Sequence, residues 1–162
     1  MLFHMKAWLL QTVREYRVNS WLFEVKLINH KKNRNLIMTD IEALNLQPRQ
    51  GRTLMNVTSV EVGTEESVLH AQSTMSEYGK VLSTARFKYN ADRLSGTYTS
   101  EGRGIVDENT MVSGTGMGIW RREGSRIHME ELVNISDGSQ NLGRGVWDMR
   151  ENTLTYDAFV IR

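Results

Sequence analysis

The chain has 162 residues, 40% of them apolar and 24% charged, with a single proline and no cysteine. That is the balance of a globular domain long enough to bury a core, and it excludes disulfides, iron–sulfur ligation and thiolate chemistry. The net charge of +1 conceals an asymmetry, since residues 1–37 carry seven Lys or Arg against two Glu and the remainder thirteen against seventeen.

Residues 5–17 have the apolar spacing of a short amphipathic helix, with Leu9, Val13 and Tyr16 on one side. "SWLFEVKLI" then alternates through Trp21, Phe23, Val25 and Leu27, and "NHKKNRN" (29–35) is basic and aperiodic. This stretch reads either as a basic arm, as an added edge strand, or as translated sequence upstream of a true start at Met38. In "MTDIEALNLQP", Thr39 and Glu42 have capping-box spacing for a short helix. Residues 1–50 are therefore expected to be an N-terminal helix or coil extension, and 51–162 the main domain. All thirteen glycines lie at or beyond Gly51.

From there the chain breaks into apolar or alternating runs at about 53–62, 66–75, 80–89, 95–106, 110–121, 125–135, 139–149 and 153–161. The breaks between them hold Gly, Asn, Asp and Ser, the residues that tight turns use. Pro48 precedes all eight runs, so none is weakened by it. Short strands with hairpin connections predict an all-β fold, an eight-stranded antiparallel up-and-down barrel that closes to remove its edges.

"SGTGMGIW" (113–120) decides between a nucleotide loop and a strand. A dinucleotide fingerprint needs G-x-G-x-x-G followed by a helix, whereas this spacing is G-x-G-x-G and the residues after it alternate and turn. No Walker run and no G-x-S-x-G elbow occurs anywhere. On a strand, alternate residues share a face. Gly114, Gly116, Gly118 and Trp120 then form one side, echoed by Gly102 and Gly104 and by Gly143, Gly145 and Trp147. Such a small-residue stripe lets a wall coil tightly or leaves interior space. The less charged face of the seventh run carries Gly143, Gly145 and Trp147, which places Arg103 and Arg144, each centred in a G-R-G, on the outside.

In "RIHMEELVNI" (126–135), Ile127, Met129, Glu131, Val133 and Ile135 share a face. A carboxyl in an apolar row acquires a raised pKa and suits acid–base chemistry. Glu131 is the candidate catalytic residue, with a buried ion pair to Arg103 or Arg144, a polar network, or plain exposure as the alternatives. Tyr98, Trp120, Met129, Trp147 and Tyr156 are the candidate ligand-binding residues, because pockets are walled by aromatic and apolar side chains. Met111, Met117 and Met149 would extend an adaptable lining. The four histidines have no metal-ligand spacing, so neither a metal nor a cofactor is expected. The barrel segment lacks the basic stripe of a nucleic-acid binder. No apolar run reaches the length of a membrane helix, and a cytoplasmic location is expected.

"GTYTSEGRGIV" (96–106), "SGTGMGIW" (113–120) and "GRGVWDMRENTLTYDAFVIR" (143–162) resemble the superfamily of allene oxide cyclases and dirigent proteins, nearest to its uncharacterised microbial members. The resemblance covers about residues 52–162. It implies an eight-stranded barrel with an apolar cavity, forming dimers or trimers, that holds small hydrophobic molecules. The lipocalin-like (calycin) barrels are the neighbouring alternative. Three functions follow as expectations: a binder of a small hydrophobic molecule, an isomerase or cyclase on such a molecule, or a structural oligomerisation module with no ligand.

Overall fold

The computed structural model describes residues 44–162. The helix expected over 5–17, the alternating run from Ser20, the basic stretch at 29–35 and the cap at Thr39 lie outside the described residues. Eight strands follow: β1 Thr53–Val62, β2 Glu66–Met75, β3 Gly79–Tyr89, β4 Ser95–Ile105, β5 Met111–Glu123, β6 Arg126–Ile135, β7 Gln140–Asp148 and β8 Thr153–Val160. Each pairs antiparallel with its neighbours in chain order, and β1 meets β8 through Thr53↔Tyr156 to Asn56↔Thr153, closing the barrel.

Alternation builds the wall. On β7, Asn141, Gly143, Gly145 and Trp147 are buried while the residues between them are partly exposed, so one period-2 set enters the lumen and the other faces out. Arg103 and Arg144 stand on outward positions, opposite their flanking glycines. The hairpins turn where the sequence offers residues for it. Gly124 (φ 61°) and Gly138 (φ 91°) occupy the left-handed region in the β5–β6 and β6–β7 turns, which costs glycine no Cβ clash. Asp92, Asp107, Asp137 and Asp148 each accept hydrogen bonds from backbone N–H groups two or three residues on, at 2.8–3.3 Å. Those bonds, joined at Asp137 by the larger influence of the Ser139 side chain, favour the ionised carboxylate and hold all four pKa values below the ordinary range.

Contacts with the barrel begin before β1. The carbonyl of Gln47 accepts from Val160 N–H, Pro48 pairs with Phe159, and Arg49 N–H donates to the Ala158 carbonyl. Residues Leu46–Arg162 accordingly form one compact unit.

The interior has two halves. Toward the β3–β4, β5–β6 and β7–β8 turns it is filled by aromatic rings. Phe87 stacks on Tyr98 with centroids 5.4 Å apart, and Trp120 and Trp147 lie 6.0 and 6.2 Å from the Phe87 ring. Tyr89 meets Trp120 edge to face at 5.7 Å. The Trp120 indole N–H donates to the Lys88 carbonyl at 3.0 Å, and it reaches there because position 96 carries no Cβ to block it. Toward the opposite turns the stacked rings give way to small residues on four adjacent strands. Ala71, Ser83, Gly102 and Gly114 follow one another across β2 to β5. The lumen is hollow at that level.

Candidate functional site: a hollow lumen around Glu131

The hollow half is a cavity of about 120 Å³. Its apolar wall includes Met55, Leu69, Met75, Val81, Met129 and Leu154. Tyr98, Ser83, Ser100, Glu131, Asn141 and Tyr156 are among its polar lining residues, and Tyr78, from the β2–β3 turn, closes in at the far end.

Glu131 is 6% exposed. It arrives inside because β6 alternates, placing Ile127, Met129 and Glu131 on its buried positions. Tyr98, Gly118, Glu131 and Gly143 lie on one register row across β4 to β7. The glycines either side of Glu131 are what give its carboxyl room. A Cβ at Gly116 would collide with Glu131 Oε2 and Ser100 Oγ, and one at Gly143 with the Tyr156 hydroxyl and Glu131 Cγ. The glycine stripe is thus the imprint of a polar cluster as well as of wall curvature.

Within that cluster Ser100 Oγ donates to Glu131 Oε2 at 2.5 Å and Tyr156 Oη donates to Glu131 Oε1 at 2.9 Å. Among the described residues no Arg, Lys or His pairs with this carboxyl. The ion pair with Arg103 or Arg144 is therefore not formed, because both guanidinium groups hang on the outer wall. Burial raises the Glu131 pKa above its ordinary 4.5, and the hydroxyl hydrogen bonds oppose that rise only in part. Burial likewise pushes the Tyr98 and Tyr156 phenols above their usual range, with the Glu131 charge adding to it. All three shifts favour the proton-bearing form of their group. Tyr98 is 2% exposed; its buried hydroxyl lies beside the Glu131 carboxyl but outside ordinary hydrogen-bond geometry, and it has no other partner.

At the far end Asn141, also buried, donates through Nδ2 to the Tyr78 hydroxyl at 2.9 Å and accepts from Arg49 Nε at 2.9 Å. Arg49 is tied down in turn by the Arg162 carbonyl at 2.8 Å.

Of the residues singled out by the sequence, Glu131, Tyr98, Met129 and Tyr156 converge on the cavity. Trp120 and Trp147 do not line it: they belong to the aromatic filling beyond Phe87. Met111 and Met117 are 65% and 67% exposed on the outer wall, since they alternate out of phase with the β5 glycines. Ser100, Tyr78 and Asn141 were not anticipated. Ser100 shares its face with Tyr98 and Gly102, and Asn141 shares its face with Gly143, so the same period-2 reading reaches both.

Among the described residues no group of three His, Asp or Glu side chains is placed to hold a metal ion, and no helix is long and apolar enough to cross a membrane. His70 and His128 alternate with Leu69 and Met129 on outward positions. Comparison of the chain with protein-family models, with curated proteins and with solved structures gave no match.

Proposed function

We propose that this barrel binds a small, predominantly apolar molecule in its lumen. The observation that carries the reading is the cavity of about 120 Å³, walled by methionine and aliphatic side chains and ending on the buried Glu131 cluster. Close-packed interiors leave few voids larger than a water molecule, and an apolar wall with a few convergent polar groups is the make-up of a ligand site. A purely structural module has no use for that space. Kinship with the allene oxide cyclase and dirigent barrels, a homo-oligomeric assembly and a cytoplasmic setting belong to the same proposal; the closed eight-stranded antiparallel barrel is compatible with them.

Native mass spectrometry of protein purified from its own host tests the reading. A reproducible apolar adduct is expected, and it should vanish in Gly102→Leu. A Cβ at Gly102 meets nothing nearer than the Leu82 carbonyl at 3.6 Å, so a leucine there can fill the cavity. Protein that carries no adduct and takes up no added apolar guest would overturn the proposal.

A second reading, an acid–base isomerase, draws on one further observation: Glu131 is a buried carboxyl with a raised pKa facing the same space. In that role it would exchange a proton with a bound substrate. Glu131→Gln separates the two, because a binder retains its guest whereas an isomerase loses turnover.

A further inference from the structure

The polar end of the lumen leaves one hydroxyl unpaired. Ser100, Tyr98 and Tyr156 each bring an O–H to it. Those of Ser100 and Tyr156 are taken by Glu131. The Tyr98 hydroxyl stays buried and unpartnered at the cavity wall. The other polar residues at the far end offer no remedy, because the Asn141 amide is already engaged with Arg49 and Tyr78 at both its atoms.

Buried donors left unpaired are costly and are nearly always satisfied by something. What fits such a donor is an acceptor oxygen. An anionic head would meet an acidic side chain that no cation among the described residues pairs with, and a donor-only head would leave the Tyr98 hydroxyl unpaired.

We infer that the lumen recognises a carbonyl oxygen, taken by the Tyr98 hydroxyl, on an otherwise apolar molecule whose buried part is about the size of a six-membered ring. This rests on the binding function proposed above and specifies the ligand's head group. The size follows from the cavity, since an engineered apolar void of about 150 Å³ accommodates benzene. A longer molecule keeps its remainder outside that space.

Calorimetric titration with three probes of equal heavy-atom count tests the inference: cyclohexanone, methylenecyclohexane and cyclohexylamine, the last as its ammonium ion near pH 6. Cyclohexanone is expected to bind roughly tenfold tighter than methylenecyclohexane, in line with one buried hydrogen bond. In Tyr98→Phe that preference should shrink to about threefold or less, with the hydrocarbon affinity unchanged. The variant's thermal unfolding and near-UV spectrum report whether it has kept its fold. Equal binding of ketone and hydrocarbon would overturn the head-group inference while leaving the binding function standing. Tightest binding of the ammonium ion would overturn it too, by showing that Glu131 waits as a carboxylate. Failure of all three probes to bind would overturn both.

Discussion

Tyr98 on β4 and Glu131 on β6 face each other across Gly118 of β5 on a single register row, with no side chain between them. The phenol and the carboxyl are both buried, yet the phenol's hydroxyl makes no hydrogen bond while the carboxyl accepts two from elsewhere. A barrel that needed this row only for stability would fill it with aliphatic groups. The unpaired donor, the acid without a cationic partner and the space beside them are what support the reading of the lumen as a binding site.

The glycines around Glu131 should differ sharply in their tolerance of a methyl group. At Gly118 a Cβ would run into the Glu130 backbone carbonyl, which cannot step aside, whereas at Gly102 it meets only the Leu82 carbonyl at 3.6 Å. Gly118→Ala should destabilise by about 1–3 kcal/mol or more from overpacking. Gly102→Ala should be neutral or stabilising by about 0.5 kcal/mol, through the unfolded chain's lost freedom. Urea unfolding of the two variants checks this, and equal costs would refute the assignment of their roles.

Stability should depend on pH through Glu131 in a predictable sense. Its pKa is raised by burial from 4.5 in the folded protein, so the native state holds the proton more tightly than the unfolded chain does. The stabilisation is fully present below pH 4.5 and is lost as pH rises through the folded-state value. The turn aspartates act in the opposite sense and in a lower window, losing their contribution as pH falls below 3.8. Melting temperature should therefore decline with rising pH above the ordinary Glu range, and Glu131→Gln should flatten that decline. A slope unchanged by the substitution would mean that Glu131 ionises freely in the native state.

The aromatic half should behave as core. Phe87 is 2% exposed and contacts the rings of Tyr98, Trp120 and Trp147. Truncation in Phe87→Ala should cost about 3–5 kcal/mol in chemical denaturation. It should also deepen the lumen, so that the variant accepts a larger apolar guest than the parent. A loss below 1 kcal/mol would place Phe87 outside the packed filling.

Much of this was legible in the sequence because it rests on a single periodicity. The eight runs fall within a residue or two of the observed strands at nearly every end, since turn residues and alternation mark them. The inward direction of Gly143 and Gly145 followed from which face of the seventh run carries charge, whereas the alternation of β6 left Glu131 open between the lumen and the surface. What could not be read was depth along the barrel axis. Trp120 and Trp147 share a face with the cavity glycines, but the stagger between strands carries them into the filled half. Register also decides that Ser100 and Tyr156 reach Glu131. It is set by pairing between strands and has no signature within any one of them. Met117 illustrates the converse, an apolar residue on the outer wall that composition alone assigns to the core.

The central claim, that the lumen is a ligand cavity, is tested most directly by NMR of protein labelled with ¹³C at the methionine methyl groups and titrated with benzene. Met55, Met75 and Met129 line the cavity, whereas Met111 and Met117 sit on the outer wall. Saturable shifts confined to the first three, and abolished in Gly102→Leu, are the predicted result. Shifts that appear on Met111 and Met117 instead, or none at saturating benzene, would contradict it.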